Sequence, residues 1–217
     1  MDPHRKSIIH GSGQSDYRTP PEMARKLVDY FDLAWDLAAT PENRVTPERH
    51  LGPGSAWGED ALAVDWSRLQ EPWGFLNPPF SLSEIKILKE QGVPADDPRI
   101  SALRIENWAE KAYAESLTGF TTIGVFPYAP QTEWFRWYVM GHSPKPQMDV
   151  RADIHAVAGW SGHAALDFWR LPHRVSFLLP DGSPTDNAGV NTCILIWGPN
   201  PGFVGPWVPS GRYWSFR

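Results

Sequence analysis

The sequence predicts an α/β fold: a mainly parallel sheet with an antiparallel edge strand and helices on both faces. Two patterns point to it. As far as residue 140, apolar runs of strand length alternate with runs of helical periodicity, the order in which helices cross over between parallel strands. Beyond that point strand-like runs follow one another with no helix between them, which suits antiparallel pairing. Length agrees, since 217 residues without a break in composition suit one domain with a sizeable core.

Residues 1–15 are polar and rich in Gly and Ser, and read as a flexible arm ahead of a single domain over 16–217. Gly11-Ser12-Gly13 has no preceding strand and an incomplete signature for a phosphate loop. Met23, Leu27, Val28 and Phe31 recur at helical spacing, with Thr19 expected as N-cap and proline in the first turn. Residues 31–39 read as a short apolar strand that ends in small residues beside Asp36 and is stopped by Thr40-Pro41-Glu42-Asn43. A loop rich in Gly and Pro runs on to Gly58. Trp73-Gly74-Phe75-Leu76 is a buried strand leading straight into Asn77, where two prolines cannot donate to a sheet ladder, so a turn lies at the strand's C-terminal edge. A helix is expected over 83–90, a Pro- and Asp-rich loop over 92–98, and a helix over 105–117 with Trp108, Ala109, Ala112 and Tyr113 on one face. The apolar strand 121–126 ends in Pro127-Tyr128-Ala129-Pro130, and Thr132 opens an aromatic-rich helix over 133–140. Strand-like runs follow at 154–158, 174–179 and 192–197.

Composition narrows the class. Hydrophobic residues make up 41% and charged ones 21%, as in soluble globular proteins. The 22 Pro imply long structured loops, and the 12 Trp must fill the core or form stacking surfaces. No apolar stretch has the length of a signal peptide or membrane span, so a cytoplasmic protein is expected. A single cysteine, Cys193, excludes an internal disulfide and a Cys-based zinc cluster, and its apolar setting reads as core. His142, His155, His163 and His173 lack metal-ligand spacing, so no metal site is expected. Asp96-Asp97 reads as a solvated loop, and Trp134, Phe135, Trp137 and Tyr138 as core. With a net charge of -5, contact with nucleic acid must come from a local basic patch. Arg170, His173, Arg174, Arg212 and Arg217 are the candidates, the last two in a tail that mixes cations and rings.

Asn77-Pro78-Pro79-Phe80 is the most informative feature. The amino group of adenine is a poor nucleophile because its lone pair is delocalised into the ring. A catalyst must hold that nitrogen in line with a methyl donor and draw its hydrogens toward acceptors that favour a tetrahedral centre. Asn77 supplies an amide oxygen and Pro78 a backbone carbonyl. Pro79 stiffens the turn and restricts the residue before it, and Phe80 offers a flat face to an extruded base. The plain alternative is a Pro-Pro turn that only ends a strand. Position favours a site, since ligands of open α/β sheets bind beyond the carboxyl ends of strands.

The chain resembles the small phage and prophage DNA N6-adenine methyltransferases, which are Dam-like. The likeness begins at Asp16-Tyr17-Arg18-Thr19-Pro20 and continues through Trp35-Asp36-Leu37-Ala38-Ala39, Asn43, Glu59-Asp60-Ala61-Leu62, Trp66 and Asn77-Pro78-Pro79-Phe80-Ser81. It resumes at Trp108-Ala109-Glu110-Lys111-Ala112, over 125–130 with Thr132 and Trp134-Phe135, and at Arg174-Val175-Ser176-Phe177, closing over 193–198. The resemblance implies a Rossmann-like methyltransferase fold with S-adenosylmethionine as donor and DNA as partner, in the host cytoplasm if the protein is phage-encoded. It implies that Thr19 and Pro20 lie against the methionine part of the cofactor, that Asp36, with Ala38 and Ala39, forms the first cofactor motif, and that Asp60 meets a cofactor hydroxyl. Asn77, Pro78, Pro79 and Phe80 correspond to the catalytic motif. The chain departs from the usual first motif in having Leu37-Ala38-Ala39-Thr40 where glycines are common, a small-residue version that the phage family shares. Residues 82–104 and 143–171 are longer than the family's minimal pattern and are candidate target-recognition or lid elements. Cytosine N4 or a glutamine amide poses the same chemical problem, and a catalytically silent DNA-binding or phage-structural module is the alternative outside enzymes.

Overall fold

Proline starts the first helix of the computed structural model, which describes residues 17–46, 48–141, 167–170 (main chain only), 175–179, 181–184 and 191–198. Pro21 opens α1 (Pro21–Phe31), where its missing N–H is one that a helix start leaves unbonded in any case. Met23, Ala24, Leu27 and Phe31 form the buried face. Asp32 closes α1 in the left-handed region at φ 51°, a conformation that Asp tolerates better than most residues. The N-cap is Pro20 rather than Thr19, and no side chain caps the helix. The Thr19 hydroxyl is engaged elsewhere, by Asn77.

The strands are β1 (Trp35–Asp36), β2 (Trp73–Leu76), β3 (Thr121–Pro127), β4 (Asp167–Arg170) and β5 (Thr192–Trp197), in the sheet order β1-β2-β3-β5-β4. β1, β2 and β3 pair in parallel, while β5 runs antiparallel to both β3 and β4. The sheet is thus mostly parallel in direction and flanked by helices, an α/β architecture compatible with a Rossmann-like fold. One expectation is corrected: the antiparallel strand is not at the edge. β4, within the stretch 143–171 that reads from sequence as an insertion, adds beyond β5 and puts it inside the sheet.

Side chains alternate along the strands, as a two-residue period requires. On β5, Cys193, Leu195 and Trp197 join one buried cluster with Phe126, Leu76 and Trp35, while Ile194 and Ile196 join another with Phe75, Ile123 and Val125. The first cluster is covered by α4 (Ile105–Ser116) and α5 (Glu133–Tyr138), the second by α1. Both faces are therefore buried, which accounts for the near-continuous apolar runs of β3 and β5. Cys193 is core: its thiol donates to the Phe126 carbonyl at 3.6 Å, and burial pushes its pKa well up.

Much of the tryptophan content fills the first cluster. Trp35, Trp66, Trp108 and Trp197 are buried there, and each indole N–H reaches a backbone carbonyl, of Gln70, Ala61, Ala102 and Tyr138 respectively. Trp134, Phe135 and Tyr138 are core too. Trp66 opens a 3-10 turn (Trp66–Arg68) held to α4 by Glu115, whose carboxylate accepts from the Ser67 N–H and pairs with Lys111. The Lys111 ammonium lies 5.5 Å from the centre of the Trp66 ring.

The apolar run 31–39 yields only a two-residue strand, and Phe31 belongs to the last turn of α1. On the side away from β2, residues 49–51 take the place of a strand: Asp36 N–H donates to Arg49 O at 2.9 Å and Leu51 N–H to Asp36 O at 2.8 Å. Segment 82–104 folds as α2 (Leu82–Glu90) and α3 (Pro98–Ala102) around a small core of Ile85, Ile100 and Leu103. In the 174–179 run the described residues form no strand, and Leu178 alone bridges to Arg18 and Pro184. The run 154–158 lies outside the described residues. Among the described residues no helix is long and apolar enough to cross a membrane.

Candidate active site

Because β1 and β2 run parallel, the residues after Asp36 and after Leu76 emerge at the same edge of the sheet. The Leu37 N–H donates to the Phe75 carbonyl at 2.8 Å, which extends the pairing of the two chains one residue past Asp36, and Ala38 and Ala39 follow. Asn77 is half-buried and Pro78 buried, with Pro79 and Phe80 half-exposed beyond them. Ser81 then stops the turn. Its hydroxyl accepts from the Glu84 N–H at 3.2 Å as N-cap of α2, and its own N–H donates to the Leu103 carbonyl.

The Asn77 side chain is oriented by its nitrogen. Nδ2 donates to the Tyr17 carbonyl at 3.1 Å and to Thr19 Oγ1 at 3.0 Å. Among the described residues nothing donates to Asn77 Oδ1 or to the Pro78 carbonyl, so both acceptors are left at the strand end without partners there.

Asp36 is 3% exposed, and both of its carboxylate oxygens are in use, accepting from Val45 N–H at 2.8 Å and Ala38 N–H at 3.2 Å. It therefore organises the loop over the end of β1. Burial raises its pKa from 3.8 to about 6, against the lowering effect of the two backbone donors. Between those values the unfolded chain has released the proton and the folded chain retains it. The group's contribution to stability is thus full below 3.8 and falls as pH rises through about 6, by about 3 kcal/mol in all. Denaturant unfolding across this window should show that fall in the parent relative to Asp36→Asn. Parallel pH profiles would contradict the buried charge.

Loop 52–58 is stitched to the same edge. Gly52 has φ 139°, and a side chain there would put its first carbon 2.1 Å from the Ala39 carbonyl oxygen, so only glycine lets the chain pass. Trp57 from this loop meets the Trp35 ring edge-on at 5.2 Å. Asp60 follows, exposed, its carboxylate accepting from the Leu62 N–H in a local turn.

Of the site residues read from sequence, the fold brings Thr19, Ala38, Ala39 and Asn77 through Phe80 to one edge, with Pro20 at the start of α1 beside Thr19 and Asp60 beyond the loop tied to Ala39. The main chain of Arg170 reaches this edge as well, since Arg170 and Phe126 face the same β5 residue, Cys193. His173, Arg174, Arg212 and Arg217 lie outside the described residues, as do His142, His155 and His163. The contacts missed from sequence are the anchoring of Asn77 by Tyr17 and Thr19 and the Ser81 cap. Only the cap had a sequence signal, the pattern Ser81-x-x-Glu84. No protein-family model matches the chain, and neither a curated protein nor a solved structure matches it.

Proposed function

We propose that this protein transfers a methyl group from S-adenosylmethionine to the exocyclic N6 of adenine in DNA. The observation that carries the reading is the Asn77 amide, held at a strand end by its nitrogen, with no hydrogen bond to its oxygen among the described residues. Two neighbouring acceptors suit an amino group with two hydrogens to place.

The chemistry of the residues around it fits the cofactor. Ala38 and Ala39 keep the end of β1 small, and the exposed carboxylates of Glu59 and Asp60 offer acceptors to ribose hydroxyls. Asp36 acts from beneath by shaping the loop. When bound, the cofactor supplies an electrophilic methyl carbon. Asn77 Oδ1 and the Pro78 carbonyl accept from the N6 hydrogens, localising the nitrogen lone pair and directing it at that carbon. As the nitrogen–carbon bond formed, the bond from that carbon to the sulfonium sulfur would break to leave a neutral thioether, and one N6 proton would pass to solvent. Phe80, half-exposed, stacks on the extruded base and keeps water from it.

Transfer of labelled methyl to DNA, RNA and protein acceptors tests the proposal. Label should appear in DNA and be recovered as N6-methyladenine. Recovery as N4-methylcytosine, or in protein glutamine, would redirect the acceptor, and absence of both transfer and cofactor binding at micromolar concentration would favour a silent module.

A further inference from the structure

We infer that Thr19 is a positioning residue for the Asn77 amide: its buried hydroxyl, with the carbonyl of Tyr17, holds the amide nitrogen and so aims the amide oxygen into the site. The inference rests on the methyltransferase reading only for the reaction that this oxygen serves. An amide has two N–H donors, and both are taken, at 3.1 Å and 3.0 Å. The Tyr17 carbonyl can only accept, so the nitrogen must face it, and a flipped amide would set oxygen against oxygen.

The anchors are themselves fixed. They stand 60 and 58 positions from Asn77 in sequence, and between them Arg18 exchanges two main-chain hydrogen bonds with Leu178, both at 2.9 Å. Pro20 follows Thr19 and confines it to extended backbone, and Pro21 then starts α1. Thr19 is 3% exposed, so water is poorly placed to replace its hydroxyl. Without that hydroxyl the amide keeps one anchor and turns more freely about its last torsion. Part of the time it then presents N–H groups, which cannot accept, to the amino group that needs an acceptor.

Thr19→Val keeps the shape and removes the acceptor, whereas Thr19→Ser keeps the acceptor. In methyl transfer to adenine-containing DNA, kcat should fall about tenfold or more in Thr19→Val, with Kd for S-adenosylmethionine unchanged, and should be largely restored in Thr19→Ser. In nitrogen-labelled protein, the Asn77 side-chain amide protons should exchange with solvent faster in Thr19→Val than in the parent or Thr19→Ser. This second measurement needs no turnover. If the parent transfers no methyl, the methyltransferase reading falls while the exchange rates still decide the anchoring. A raised Kd with kcat retained would make Thr19 a cofactor contact and overturn the positioning role. Parent-like kcat and exchange in Thr19→Val would overturn it as well, and Thr19→Ala gives the same comparison where valine does not fold.

Discussion

Asn77→Ala is expected to lower the turnover of methyl transfer by about a hundredfold or more while leaving the affinity for S-adenosylmethionine nearly unchanged. In the proposed reaction the amide oxygen gains most from N6 as that nitrogen becomes tetrahedral, so its removal would take away an interaction that is stronger in the transition state than in the ground state. Cofactor affinity is spared because both hydrogen bonds of the Asn77 side chain run to Tyr17 and Thr19 within the protein. Single-turnover transfer to DNA with the folded variant is the measurement. A parent-like rate would reduce the Pro-Pro turn to a strand terminator. Phe80→Ala makes the contrasting case, with capture of the extruded base weakened by about 1–3 kcal/mol through loss of a stacking face.

Lys111→Ala should cost about 3 kcal/mol of stability, the largest effect expected away from the site. The side chains of Glu115 and Lys111 are 8% and 18% exposed, and the Ser67 N–H is the other donor to the Glu115 carboxylate. Removing the ammonium leaves a carboxylate inside the cluster with too few donors, and removes the cation from the face of Trp66 as well. Replacing both partners, as Lys111→Met with Glu115→Leu, should recover most of the loss, because neither charge is then stranded. Denaturant unfolding of the parent, both single variants and the double variant measures this. Additive losses would show that the pair is not coupled.

Legibility in the sequence followed the range of the interactions. The helix over 105–117 and the strands at 73–76, 121–126 and 192–197 were readable because burial on a face or in a run writes itself as a local pattern. The turn at Asn77 was readable too, since a pair of prolines cannot extend the sheet ladder past the end of β2. What escaped depends on partners far along the chain. Thr19 reads as a cap because it precedes a helix, but a residue 58 positions away claims its hydroxyl. The hold of Asp36 on its loop escaped as well, since its carboxylate accepts from Val45, nine positions away, and from Ala38. β4, only four residues long, carries too few alternations to announce a strand, so the sequence reading lacks the strand that lies beyond β5.

The interior place of β5 bears on how the chain reaches its fold during synthesis. β3 leaves the ribosome some seventy residues before its antiparallel neighbour, since it ends at Pro127 and β5 spans Thr192–Trp197. Until then one side of Thr121–Pro127 is an uncharged row of unpaired amides and carbonyls, the kind of edge that recruits other strands. Chains arrested before residue 192 should therefore associate with one another or with a holding chaperone, whereas those carrying β5 should not. The strand that fills the middle of the sheet is also the one whose late arrival ends the nascent chain's exposure to aggregation.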